Sequence, residues 1–128
     1  MRPLLPLLAL LIAAPAAAHI DTPQEALASA LKGMVPDGRP EQCLLSRQAD
    51  DVRLVDEHTI VYRMGASRAW VNHPRGGCLG LQPGRTLITH SPEGQLCAGD
   101  LTHVVDLVSH MQYGTCSLGA FEPWRRAK

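Results

Sequence analysis

The spacing of hydrophobic residues changes near residue 40 of this chain. Before that point, apolar residues recur at three- and four-residue intervals, as they do on one face of a helix. They are Ala26, Leu27, Ala30, Leu31 and Met34. After it, short apolar runs alternate with polar residues and are separated by Gly, Pro and Asp, a pattern typical of half-buried strands. The sequence therefore predicts one amphipathic helix followed by a β domain.

The predicted helix has clear start and stop signals. Thr22 is a good N-cap, Pro23 suits the first helical position, and Glu25 completes a capping box with Thr22. Gly33 is a suitable stop, and residues 35–40 are interpreted as a linker without regular structure. Because so short a helix is marginal alone, we expect its apolar face to dock on the β domain.

The β domain is predicted to contain roughly six to seven short strands in an antiparallel arrangement. Asp56–Glu57 reads as a tight corner, residues 101–108 as the longest strand, and residues 115–118 as the last one. A small barrel or a meander fits this pattern. Closure into a barrel is favoured because it removes exposed strand edges.

The N-terminus has the features of a signal peptide. Arg2 precedes an apolar core from Leu4 to Ala14, and residues 16–18 are the small residues of a cleavage site. The core is shorter than the roughly 20 residues of a spanning helix. We predict cleavage after Ala18 and export to the periplasm or the extracellular space, without a stable membrane anchor.

Three segments follow from these signals. Residues 1–18 are the signal peptide, residues 19–40 the helix and linker, and residues 41–128 the β domain. Loss of Arg2 with the leader leaves one more acidic than basic residue in the mature chain. A near-neutral domain lacks the basic surface of nucleic-acid binders, so we expect no nucleic-acid partner.

Four cysteines lie in the predicted mature chain. An even number in an exported protein predicts a disulfide framework, and four cysteines allow three pairings. We favour Cys43–Cys116, which would join the first strand to the last, together with Cys78–Cys97, which would close a hairpin-sized loop. Cys78 and Cys97 are too far apart for a Cys-x-x-Cys zinc motif.

The order of features in the β domain is distinctive. In sequence, they are Cys43, Asp56–Glu57, Thr59–Tyr62, Asn72, Cys78, Leu81, Leu96–Asp100 and Gly114–Phe121. This order resembles a family of small exported bacterial proteins known only as a domain of unknown function. The resemblance covers about two thirds of the chain. It implies an exported β domain with four cysteines and no established activity, ligand or catalytic residue.

Histidine at the predicted mature N-terminus suggests a metal site. Cleavage after Ala18 would give His19 a free α-amine beside its imidazole, and both nitrogens suit Cu(II). A second histidine would complete the site, with His73, His90 and His103 as candidates. The sequence thus offers copper as the one candidate cofactor.

Motifs for catalysis are missing from the sequence. It contains no Gly-x-Ser-x-Gly nucleophile motif, and we predict no catalytic residue. Arg68, Trp70 and Asn72 share one strand face and are a candidate ligand face. The preferred alternative for Trp70 is a core position, because Trp is highly buried on average.

Three functions are compatible with these observations. The first is a soluble, non-enzymatic periplasmic module that binds a ligand or supports the cell envelope. The second is a copper-binding periplasmic protein that uses His19. The third is an enzyme with an unfamiliar site, which has the least support in the sequence.

Overall fold

The structure of the protein, a computed structural model, describes residues 13–128. Most of the predicted signal peptide, residues 1–12, therefore lies outside the described residues. Residues 13–22 have no regular secondary structure and are exposed. In residues 13–128, no helix has the length and apolar character needed to cross a membrane.

The one α-helix of residues 13–128, α1 (Pro23–Ala30), begins where the sequence predicts. The Thr22 hydroxyl accepts a hydrogen bond from the Glu25 backbone N–H at 3.3 Å, and the Glu25 carboxylate accepts one from the Thr22 backbone N–H at 2.7 Å. The predicted capping box is thus confirmed. The Glu25 carboxylate accepts hydrogen bonds from the Thr22 backbone N–H, which has the larger effect, and from the Thr22 hydroxyl at 3.0 Å, and both lower the pKa of Glu25.

Ten strands follow the helix rather than six or seven. They are β1 (Met34–Pro36), β2 (Cys43–Leu45), β3 (Asp51–Asp56), β4 (Thr59–Met64), β5 (Arg68–Asn72), β6 (Thr86–Thr89), β7 (Gln95–Cys97), β8 (Leu101–Val105), β9 (Gln112–Ser117) and β10 (Phe121–Arg126). A 3₁₀ turn spans Ser46–Gln48. The prediction missed β1 and β10, which each contain a proline, and proline within a run argues against a strand.

The strands form three antiparallel sheets. The largest has the order β1-β10-β5-β4-β3, a second has β6-β8-β9, and the third is the pair β2-β7. The mainly β fold with one N-terminal helix is confirmed, but the three sheets are not closed into a barrel. The predicted linker is also wrong at its start, since β1 pairs with β10 at the edge of the largest sheet.

One face of the five-stranded sheet, which we call the closed face, carries Ile60, Tyr62, Trp70 and Phe121. These side chains are at most 2% exposed and pack with buried residues of the two smaller sheets and their loops. Tyr62 and Phe121 meet edge to face, with ring centroids 5.6 Å apart. The two smaller sheets thus cover this face and form the main core.

The opposite face, which we call the helix face, carries Val55, Val61, Ala69 and Val71. The end of α1 packs on it through the buried Ala30 and the adjoining Leu31 and Met34. This alternation follows from strand geometry, because successive side chains point to opposite faces of a sheet. The expected docking of the helix on the β domain is therefore observed.

The two disulfides pair differently from the prediction. Cys43 is bonded to Cys97, directly opposite it in the β2–β7 pair, and Cys78 is bonded to Cys116. The favoured pairing was wrong because it rested on chain order, whereas Cys43 and Cys97 are cross-strand neighbours and Cys78, between β5 and β6, lies against Cys116 of β9. Cys78 and Cys116 are buried in the main core, whereas Cys43 is exposed. Two disulfides are typical of proteins that fold in an oxidising compartment.

Candidate functional site

A groove of about 450 Å³ lies between α1 and the helix face at β5 and β10. Its apolar lining consists of Leu27, Ala28, Leu31, Val71 and Trp124. Three polar side chains also line it, namely Gln24, His73 and Glu122. Both its volume and its apolar lining with a few polar groups match those of small-molecule binding sites.

The groove exists because the helix is too small for the sheet that it covers. Eight helical residues extend for about 12 Å, whereas five strands spaced by about 4.8 Å span roughly 19 Å. One part of the sheet therefore has no helical cover. Val71 of β5 is paired with Glu122 of β10, so the two strands bring an apolar and an acidic residue to the groove.

His73 and Glu122 form the polar part of the groove. His73 Nδ1 lies 2.9 Å from the backbone oxygen of His58. A carbonyl oxygen only accepts hydrogen bonds, so in the neutral ring Nδ1 carries the proton and Nε2 keeps its lone pair. Nε2 is 3.8 Å from Glu122 Oε2, which is too long for a direct hydrogen bond. Both side chains are about half exposed.

The predicted ligand face of Arg68, Trp70 and Asn72 is wrong. Trp70 and Asn72 are 0% exposed, so neither can contact a ligand. Asn72 donates to the Gly119 carbonyl at 2.7 Å and accepts from the Gly119 N–H at 3.0 Å. The Trp70 indole N–H donates to Glu41. The core position preferred for Trp70 is therefore confirmed.

Arg68 is the accessible member of that trio, and its contacts are structural. Its guanidinium lies 5.0 Å from the centroid of the Trp70 ring. One of its nitrogens is 3.8 Å from a Glu41 oxygen and 3.9 Å from an Asp37 oxygen. Arg68 thus covers Trp70 and lies near two acidic side chains, Asp37 and Glu41, in the segment between β1 and β2.

His19, the predicted metal ligand, lies beside two carboxylates. Its Nε2 is 3.5 Å from Asp21 Oδ1 and 3.7 Å from Glu25 Oε2, and all three residues are exposed. None of the predicted completing histidines belongs to this cluster within the described range. Instead, His73 lines the groove, His90 is exposed on the surface, and His103 Nδ1 is 2.8 Å from the Thr115 hydroxyl.

A second pocket, of about 270 Å³, lies on the other side of α1 and includes Arg53 and Arg85. Its two arginines already have partners within the protein. Arg53 forms a 2.7 Å ion pair with Asp51, and the Arg85 guanidinium lies 3.5 Å from the centroid of the Tyr113 ring. The groove is the better candidate site, because its polar side chains His73 and Glu122 do not form a hydrogen bond with each other.

The displaced pKa of Tyr62 belongs to a group outside the groove. Burial strongly raises the pKa of Tyr62, whose hydroxyl has no hydrogen-bond partner among residues 13–128. Displaced pKa values indicate function when the group sits in a cleft. Tyr62 instead lies in the main core against Phe121, so its pKa reflects burial.

Sequence reasoning missed most of the groove. Leu27 and Leu31 were predicted to be a docking face, and His73 was considered only as a metal ligand. Glu122 and Trp124 lie in β10, a strand that was not predicted. The alternation of buried Phe121 and Pro123 with these two residues is the signal that could have identified the strand.

Comparisons with other proteins do not add to this description. The chain matches no protein-family model, no curated protein and no solved structure. The groove and the residues around His19 are therefore the features from which a function can be proposed.

Proposed function

We propose that this chain is an exported, non-enzymatic binding module of the bacterial envelope, and that the groove is its binding site. One observation carries the proposal: a groove of about 450 Å³ combines an apolar lining with two half-exposed polar side chains. An apolar wall beside a polar end suits a small amphipathic molecule. Such a ligand would bury its tail against Leu27, Leu31 and Trp124.

Three features support export. The N-terminal leader resembles a signal peptide, two disulfides crosslink the β domain, and the motif order resembles a family of small exported bacterial proteins. A periplasmic location and membership of that family are part of the proposal.

Binding of an uncharged environment-sensitive dye, N-phenylnaphthylamine, tests the site. We expect saturable fluorescence enhancement with the purified protein. Ala28→Trp places a large side chain at an exposed helix position that lines the groove, so it should reduce the affinity at least about tenfold. Ala66→Trp introduces the same residue in the exposed β4–β5 turn and is the matched control.

The outcomes are easily separated. Loss of dye binding in Ala28→Trp with retention in Ala66→Trp supports the groove as the site. Equal binding by both variants would place the dye elsewhere and contradict the proposal. Circular dichroism of both variants verifies that the fold is kept.

Copper binding at His19 is a second candidate function, favoured by the cluster that His19 forms with Asp21 and Glu25. Cleavage after Ala18 would add an α-amine to this set, giving two nitrogen and two carboxylate donors. Such N/O sets suit Cu(II). A metal bound here would also contact Glu25, which caps α1.

Intact mass followed by copper titration tests this candidate. The exported protein should have the mass of residues 19–128, lower by four hydrogens because of the two disulfides. Tight one-to-one Cu(II) binding that is lost in His19→Ala, or when one extra residue precedes His19, is the expected result. A different mature N-terminus, or equal binding by all forms, would contradict the candidate.

A further inference from the structure

We infer that the groove selects ligands with a cationic head group, which binds between His73 and Glu122. This inference rests on the proposed function, since it specifies the ligand of that same groove. The amphipathic lining alone would accept any tail of suitable size. The identity of the head group depends on the two polar side chains.

The orientation of His73 determines what it offers. Because its Nδ1–H is donated to the His58 carbonyl at 2.9 Å, the neutral ring can only accept a hydrogen bond at Nε2. Glu122 Oε2, 3.8 Å away, is also an acceptor. Two acceptors thus face one another without a proton between them. A ligand group with several N–H donors fits this arrangement, and a primary ammonium has three.

The charge of the groove favours the same ligand. Among the residues that line it, Glu122 is the one acidic side chain, and none is Lys or Arg. A cation would gain a charge-assisted hydrogen bond to Glu122, which is roughly twice as strong as a neutral one. A carboxylate or phosphate head would instead meet a like charge. The ring of Trp124 in the same lining can also attract a nearby cation.

The apolar lining completes the description of the ligand. Leu27, Leu31, Val71 and Trp124 provide contact for an aliphatic or aromatic tail. The half-exposed His73 and Glu122 leave the head group in reach of water. The inferred class is therefore a small primary amine that carries an apolar tail.

Three probes with the same tail separate the head group from the tail. Octylammonium, octanol and octanoate are titrated by calorimetry into the purified protein at mildly alkaline pH, where imidazole groups are largely neutral. We expect octylammonium to bind about tenfold more tightly than octanol, because a charge-assisted hydrogen bond contributes about that factor. Octanoate should bind more weakly than octanol.

Glu122→Gln tests the residue responsible. The variant keeps the shape of the side chain and removes its charge, so the affinity for octylammonium should fall to that for octanol. Glu93→Gln, at an exposed acid in the β6–β7 turn, is the matched control and should leave all three affinities unchanged.

Each outcome has a distinct meaning. Equal affinities for the three probes, or a preference for octanoate, would overturn the cationic head group while leaving the groove as a binding site. A preference for octylammonium that survives Glu122→Gln would overturn the assignment to this pair. No saturable binding of any probe would remove the proposed function, and this inference with it.

Discussion

The two faces of the five-stranded sheet carry similar apolar residues, but they are covered in different ways. The closed face lies under the two smaller sheets, and its large side chains, such as Trp70 and Phe121, are fully buried. The helix face lies under a helix of eight residues, which leaves Trp124 partly exposed in a groove. The same sheet therefore provides a core on one side and an accessible apolar surface on the other.

This difference separates stability from binding within one small domain. The core against the closed face contains the buried Cys78–Cys116 disulfide and the bonds of Asn72 to Gly119. These features leave little freedom for a ligand. The helix face instead borders the groove, where the half-exposed His73 and Glu122 do not hydrogen-bond to each other. Mutations on the two faces should accordingly have different consequences.

The largest effect is expected for Trp70→Ala on the closed face. Removing a fully buried Trp leaves a cavity and should lower the free energy of unfolding by about 4 kcal/mol. Urea denaturation monitored by circular dichroism measures this loss. A loss below about 1 kcal/mol would contradict the description of the closed face as the main core.

The two disulfides should differ in their rates of reduction. Cys43 is exposed, whereas Cys78 and Cys116 are 1% and 5% exposed. A thiolate must reach a sulfur atom to attack it, so we expect Cys43–Cys97 to be reduced at least about tenfold faster, which equals about 1.4 kcal/mol. Timed alkylation and peptide mass mapping under native conditions give both rates. Equal reduction rates would show that a thiolate reaches the two disulfides equally well, which would contradict this prediction.

Leu27→Ala and Leu96→Ala compare the two faces directly. Both leucines are partly buried, Leu27 against the helix face and Leu96 against the main core. Each truncation should cost about 1 kcal/mol of unfolding free energy. Only Leu27→Ala should also weaken binding of N-phenylnaphthylamine, by about fivefold, because Leu27 lines the groove. A similar loss of dye binding in Leu96→Ala would contradict a separation of the two roles.

The smallest expected effect is that of low pH on the N-terminal end of α1. Hydrogen bonds from Thr22 lower the pKa of Glu25. Because the pKa of Glu25 is lower in the folded state, its carboxylate stabilises that state at pH values above the pKa in the unfolded chain. This stabilisation is lost as the pH falls through the pKa of the folded state. Below about pH 4, we therefore expect α1 to loosen and dye binding to weaken while the β domain stays folded.

Glu25→Gln is the control for this effect. Glutamine also completes a capping box but does not titrate in this range. Dye binding by the variant should therefore depend less on pH than binding by the original protein. If dye binding by Glu25→Gln has the same pH dependence as binding by the original protein, a titratable group other than Glu25 is responsible for the effect.

The sequence predicts local features of this fold well. Thr22, Pro23 and Glu25 determine the start of α1 through contacts within four residues, and the Asp56–Glu57 corner indeed separates β3 from β4. Such features need no knowledge of the rest of the chain. Mainly β structure followed from the same kind of short-range pattern.

The features that depend on distant contacts were not predictable in the same way. The disulfide of Cys43 follows from the pairing of β2 with β7, which the sequence does not specify. Asn72 was assigned to a ligand face, yet it is buried and hydrogen-bonded to Gly119, which is distant in sequence. Part of the groove is formed by β10. A prediction from sequence patterns misses this strand because it contains Pro123, and proline within a run argues against a strand.

An amide-resolved NMR titration with octylammonium shows most directly whether the ligand binds at the helix face, because it reports on both faces of the five-stranded sheet at once. We expect saturable shifts confined to α1, Val71, His73, Glu122 and Trp124, including the Trp124 indole, with the Trp70 indole unchanged. Shifts centred on the smaller sheets, or none that saturate, would contradict the claim that the helix face is the binding side of this protein.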